Sequence, residues 1–188
     1  MRVRIRIDSF DIQDTRSRHE DTDFVQIYGY PFGGEPIKSE IKPMGDLNNG
    51  HYDIDRLFID MEVPEGQNLV FSYAIVNSGN HKPNEKLEPF FTRLKEEAEK
   101  RDSMGEDHHE GRGLGDLAWG ALLLGLGELY DWATRDCDGP VAGDYIIVNP
   151  NTLKEWMNAG QHSESKHFFT KTQCNDSNYD VKWTVQKI

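Results

Sequence analysis

The sequence predicts a mainly β protein, an antiparallel β-sandwich of roughly seven or eight strands with an inserted α-helical hairpin. Three observations lead there. Apolar and polar residues alternate with a period of two near both ends of the 188-residue chain. In the middle the spacing of apolar residues lengthens to three and four, the period of a helix. Clusters of Gly, Pro, Asn and Asp separate the alternating runs at the intervals expected of short sheet strands. The organisation implied is a single domain, residues 1–188, with the sandwich drawn from 1–80 and 139–188 and the hairpin from 81–138.

In the first run, "RVRIRID", Val3, Ile5 and Ile7 fall on one face and Arg2, Arg4 and Arg6 on the other, as in a strand covered on one side only. The signal repeats in "DFVQIYGY" (Asp23–Tyr30), "PIKSEIK" (Pro36–Lys42), "RLFIDMEV" (Arg56–Val63) and "NLVFSYAIV" (Asn68–Val76). The segments "PFGGE", "MGDLNNGHYD" and "PEGQ" between them read as turns.

Leu87, Phe90, Phe91, Leu94 and Ala98 then mark an amphipathic helix. Pro89 suits a first turn, so the regular helix is expected to begin near it. A polar connection, "SMGEDHHEGRG", leads to Asp116 as N-cap of a second helix striped by Trp119, Leu122, Leu126, Leu129 and Ala133. Gly120, Gly125 and Gly127 weaken that helix by about 1 kcal/mol each, so close packing against a sheet is their expected role. Its apolar run, Leu117–Gly127, is far shorter than the roughly 20 residues a bilayer span needs. Beyond Pro140 come a strand "DYIIV", a short helix "NPNTLKEWMNAG" ended by Gly160, and strands "KHFFTK" and "YDVKWTV".

Composition narrows the partners. Asp and Glu number 33 against 21 Lys and Arg, a net charge of −12 that repels phosphate backbones and anionic lipid. Nucleic acid is excluded as a partner, membrane contact is disfavoured, and cations are attracted. The charged alternation at the start is no secretory signal. A soluble, cytoplasmic protein is expected, with secretion by a non-standard route as the alternative. Cys137 and Cys174 lie in turn-like settings, "RDCDGP" and "TQCNDS"; separate thiols suit a reducing compartment, and a disulfide stays open because spacing does not fix their distance.

Familiar catalytic motifs are missing. "GLGDLA" fits a dinucleotide-binding pattern but follows a polar loop rather than a strand. There is no nucleophile elbow, phosphate loop or paired zinc-cysteine motif. His108 and His109 are adjacent in a loop, without the helical spacing that brings two imidazoles onto zinc. His19, His51 and His81 border turns and are candidate bases near neutral pH.

The acidic loops carry the strongest signal. "DIQDTRSRHEDTDF" contains Asp14, Asp21 and Asp23, and "GDLNNGHYDID" contains Asp46 and Asn48. In extended chain, Asp21 and Asp23 share a face about 7 Å apart and oppose each other's ionisation. A calcium ion drawing on both loops would relieve this, and so would Arg16 and Arg18. The layout resembles calcium-loop sandwiches such as C2 domains at the level of fold alone. The expectation is a non-enzymatic binding module whose acidic loops hold a divalent cation, calcium first, and organise a surface for a protein or small-molecule ligand. One alternative is a cofactor-independent enzyme of cyclase or isomerase type, with a pocket between hairpin and sheet into which Glu128 and Asp131 point. Another is a membrane-acting toxin that deploys the hairpin. The sequence is silent on oligomeric state.

Overall fold

The computed structural model describes residues 1–15, 21–79, 82–103, 138–170 and 176–188. They form β1 (Arg2–Asp14), β2 (Asp21–Gly29), β3 (Ile37–Lys38), β4 (Lys42–Leu47), β5 (Gly50–Asp53), β6 (Phe58–Glu62), β7 (Leu69–Asn77), α1 (Asn84–Ser103), β8 (Gly139–Val148), α2 (Pro150–Asn158), β9 (Gln161–Thr170) and β10 (Ser177–Lys187).

The strands make two antiparallel five-stranded sheets. In the first, β5 and β6 both pair with β1, which pairs with β10, which pairs with β9; in the second, β3 and β4 pair with β2, followed by β7 and β8. Strands from both ends of the chain thus share each sheet, as the alternation at the two termini implies. Between the sheets lies an apolar core, where Phe71 of β7 meets Trp183 of β10 edge-to-face at 5.3 Å and Tyr73 meets Phe168 of β9 at 6.3 Å.

The two sheets differ in a way their sequences already show. The first has one wet face, so β1 alternates buried Val3, Ile5 and Ile7 with partly exposed arginines. The second is covered on both faces, and β7 is buried along nearly its whole length. Its outer cover includes α1, whose Leu87, Phe90, Phe91 and Leu94 are buried and whose Phe91 ring stacks on Tyr28 at 3.8 Å. Gly143 of β8 makes this approach fit, since a Cβ there would lie 2.6 Å from Phe90 Cε1.

Three boundaries depart from the sequence reading. Among the described residues there are ten strands, where the sequence suggests seven or eight. The extra ones come from "MGDLNNGHYD", which forms β4 and β5 around a turn closed by Tyr52, whose hydroxyl accepts from Asn48 N at 3.1 Å and donates to Asn48 O at 2.8 Å. These strands are short and polar, so alternation does not mark them. The predicted strand Pro36–Lys42 shrinks to the two residues of β3. α1 starts at Asn84, ahead of Pro89, because Pro83 O already accepts from the amides of Lys86 and Leu87; Pro89 then costs only the one helical bond its missing N–H would make to Glu85.

α2 matches its expected signals. Asn149 Oδ1 accepts from the amides of Asn151 and Thr152, and Gly160, at φ 89°, ends the helix. The second helix of the expected hairpin, the residues Glu128 and Asp131, and both cysteines lie outside the described residues. Among the described residues, no helix is long and apolar enough to cross a membrane.

Candidate functional site

β2 opens with Asp21, Thr22 and Asp23, and strand alternation sends the two aspartates inward and the threonine outward. Both aspartates are 0% exposed. From the opposite sheet, Tyr179 of β10 brings its hydroxyl to 2.8 Å from Asp21 Oδ2 and 2.9 Å from Asp23 Oδ2. Asn77, at the end of β7, donates its Nδ2 to Asp21 Oδ1 at 2.8 Å and accepts from Thr22 N at 3.0 Å.

A phenol has one proton, so it satisfies one of these carboxyl groups as a donor; the other contact needs a proton on the carboxyl itself. The electrostatics assign it to Asp23. Burial, and next the charge of Asp21, push the Asp23 carboxyl well above the usual aspartate range, against the smaller opposite pull of Tyr179. Burial and the two neighbouring aspartates likewise raise the Tyr179 hydroxyl well above its ordinary value, so it stays a donor. The second oxygen of Asp23, Oδ1, is buried with no hydrogen-bond partner.

The pair lies at one end of the sandwich, where β1 stops and β2, β8 and β10 begin. Thr15, Ser78, Lys86, Asp138 and Ser177 are buried there too. Asp138 Oδ1 accepts from Gly79 N at 2.9 Å, and its Oδ2 lies 3.8 Å from Lys86 Nζ. Ser177 Oγ and Asn178 Oδ1 join Asp23 Oδ1 as buried atoms without a partner.

The five residues expected to share a cation are divided by the fold. Asp21 and Asp23 come together in the interior. Asp46 is adjacent in the β2–β4 register, opposite Thr22, yet it is exposed on the outer face, where its Oδ1 accepts from Thr22 Oγ1 at 2.6 Å. Asn48 is exposed in the β4–β5 turn, and Asp14 is exposed at the end of β1 in the other sheet. The two acidic loops therefore do not converge through these side chains. Among the described residues, no three His, Cys, Asp or Glu side chains are grouped to hold a metal ion. Arg16 and Arg18 lie outside the described residues, as do His19, His81, His108 and His109.

His51, a candidate base in the sequence, sits on the wet face of the first sheet with Nδ1 2.8 Å from Asp11 and Nε2 3.2 Å from Asp53. Hydrogen bonds to Asp11 and then Asp53 raise its pKa, favouring imidazolium over the neutral base that proton abstraction requires. The sequence reading takes "YDVKWTV" as a strand and misses the role of its first residue, Tyr179. The signal was its hydroxyl: a tyrosine in a buried position needs a polar partner.

The chain matches no protein-family model and no curated protein.

Proposed function

We propose that the protein is a non-enzymatic binding module in which Asp21 and Asp23 take a divalent cation, calcium by preference, and so organise one end of the sandwich for a protein or small-molecule partner. The observation that carries this reading is the buried, unpartnered Oδ1 of Asp23 beside a second buried carboxyl. Two carboxylates in one water-poor site ionise together only when a positive charge is close. The donors at this end are oxygens, from carboxyl, phenol, amide and hydroxyl groups, which suits a hard cation. Asp14, Asp46 and Asn48 belong to other faces and are not part of this site.

The test is thermal denaturation during a calcium titration. Stabilisation is expected, approaching about 2.7 kcal/mol at calcium 100-fold above its Kd. It is lost in the variant carrying Asp21→Asn and Asp23→Asn and kept in the one carrying Asp14→Asn and Asp46→Asn. Absence of any response up to millimolar calcium rejects the reading.

A further inference from the structure

The sequence contains one Asn–Gly pair, Asn49–Gly50, and the fold places it at the tip of the β4–β5 hairpin. Asparagine is a chemically labile residue, most of all before glycine, where no side chain keeps the next backbone nitrogen away from the amide carbon. Three observations single this position out. Asn49 and Gly50 are both exposed, at a bend between the two strands. The side chain of Asn49 makes no hydrogen bond among the described residues, although the backbone of Asn48 is held at both N and O by the Tyr52 hydroxyl. Two comparable pairs elsewhere are locked. Asn77, before Ser78, is buried with its amide donating to Asp21 and accepting from Thr22 N, and Asp138, before Gly139, is buried and accepts from Gly79 N.

We infer that Asn49 is a site of spontaneous deamidation that unhooks β5 from the first sheet. The backbone nitrogen of Gly50 gives up its proton to solvent and bonds to Cγ of Asn49; the Cγ–Nδ2 bond breaks and ammonia leaves, closing a five-membered succinimide. Water then opens the ring at either carbonyl. One opening gives aspartate, and the other gives isoaspartate, in which the backbone runs through Cβ and Cγ. The step is a hydrolysis, so water is its only co-reactant.

Either product adds a negative charge to a hairpin that already carries Asp46 on one arm and Asp53 on the other. Isoaspartate also lengthens the backbone by one atom just before Gly50, the first residue of β5. That strand pairs with β1 through Gly50–Ile12, His51–Asp11, Tyr52–Phe10 and Asp53–Ser9. An insertion at the head of so short a strand shifts this register or draws Tyr52 away from Asn48 and from the Phe10 ring, 5.6 Å away. Because β4 pairs with β2 and β5 with β1, the hairpin joins the two sheets, and the modification loosens that joint. This inference does not rest on the cation reading.

The full chain, held for days in chelator at mildly alkaline and mildly acidic pH, tests it through peptide mass mapping and amide hydrogen exchange. The mass gain of an amide-to-acid exchange should appear at residue 49 as two products of equal mass, and sooner at alkaline pH, where the attacking nitrogen loses its proton more readily. Asn49→Gln, whose longer side chain would have to close a six-membered ring, should abolish the gain; the position is exposed and its side chain unbonded, so this variant retains the fold. In the aged protein the amides of β5 should lose exchange protection while those of β7 keep theirs. The chelator keeps this result distinct from that of the calcium titration. An unchanged mass at residue 49, a gain at Asn77 in the folded chain as fast as at Asn49, or aged protein whose β5 amides stay protected would overturn the inference.

Discussion

At Tyr179, a single phenolic proton stands between two carboxyl groups that contribute from the other sheet. Replacing this residue by Phe takes the phenolic donor from Asp21 Oδ2 and the phenolic acceptor from the Asp23 proton, and a loss of about 2 kcal/mol in urea denaturation is expected. His51 makes the opposite case on the surface. Its imidazole should titrate above 6.5 by NMR, and Asp11→Asn should lower that value more than Asp53→Asn does, since the Asp11 hydrogen bond is the larger cause. Because its folded pKa is raised, any stabilisation from His51 is fully present below 6.5 and fades as pH rises through the folded value. The Asp21–Asp23 pairing was legible from strand alternation alone. Its partner was not, because Tyr179 is 158 residues from Asp21 and only sheet packing brings them together.

Among the elements, β8 and β9 are the outer strands of their respective sheets, and Lys166 Nζ of β9 reaches Asp144 Oδ2 of β8 at 2.9 Å. The pair ties the two sheets together along this side, and its inward-directed charges discourage addition of a further strand. Asp144 is almost completely buried, with Oδ1 accepting from Tyr145 N at 2.9 Å, so Lys166→Met, which removes the cation beside its carboxylate, should cost about 3 kcal/mol. On the far face of the same strand, Gly143→Ala should destabilise by about 1–3 kcal/mol, because the new Cβ collides with Phe90. A double-mutant cycle with Phe90→Ala should recover part of that loss. The main strands were legible because one or both faces are apolar. β3 was legible only as part of a longer run, and β4 and β5 were not, since their residues are mostly exposed or only partly buried.

At the scale of the whole molecule, apolar residues among those described fill the space between the sheets, and many of the buried polar groups gather at the end where Asp21, Asn77, Asp138 and Ser177 meet. The sandwich itself could be read from the alternating runs at both termini. Which loops come together could not, because register decides whether Asp46 joins Asp21 and Asp23 or faces away, and register is set by pairing across the sheet. The most direct measurement compares the unfolding free energies of the wild type and Asp23→Asn in chelator, from about pH 4 to about pH 8. The folded-state pKa of Asp23 is raised above its ordinary 3.8, so its contribution is fully present below 3.8 and is lost as pH rises toward the folded value. The wild type should therefore lose stability relative to Asp23→Asn as pH increases; a difference that is flat with pH, or that moves the other way, would contradict a buried, proton-holding Asp23.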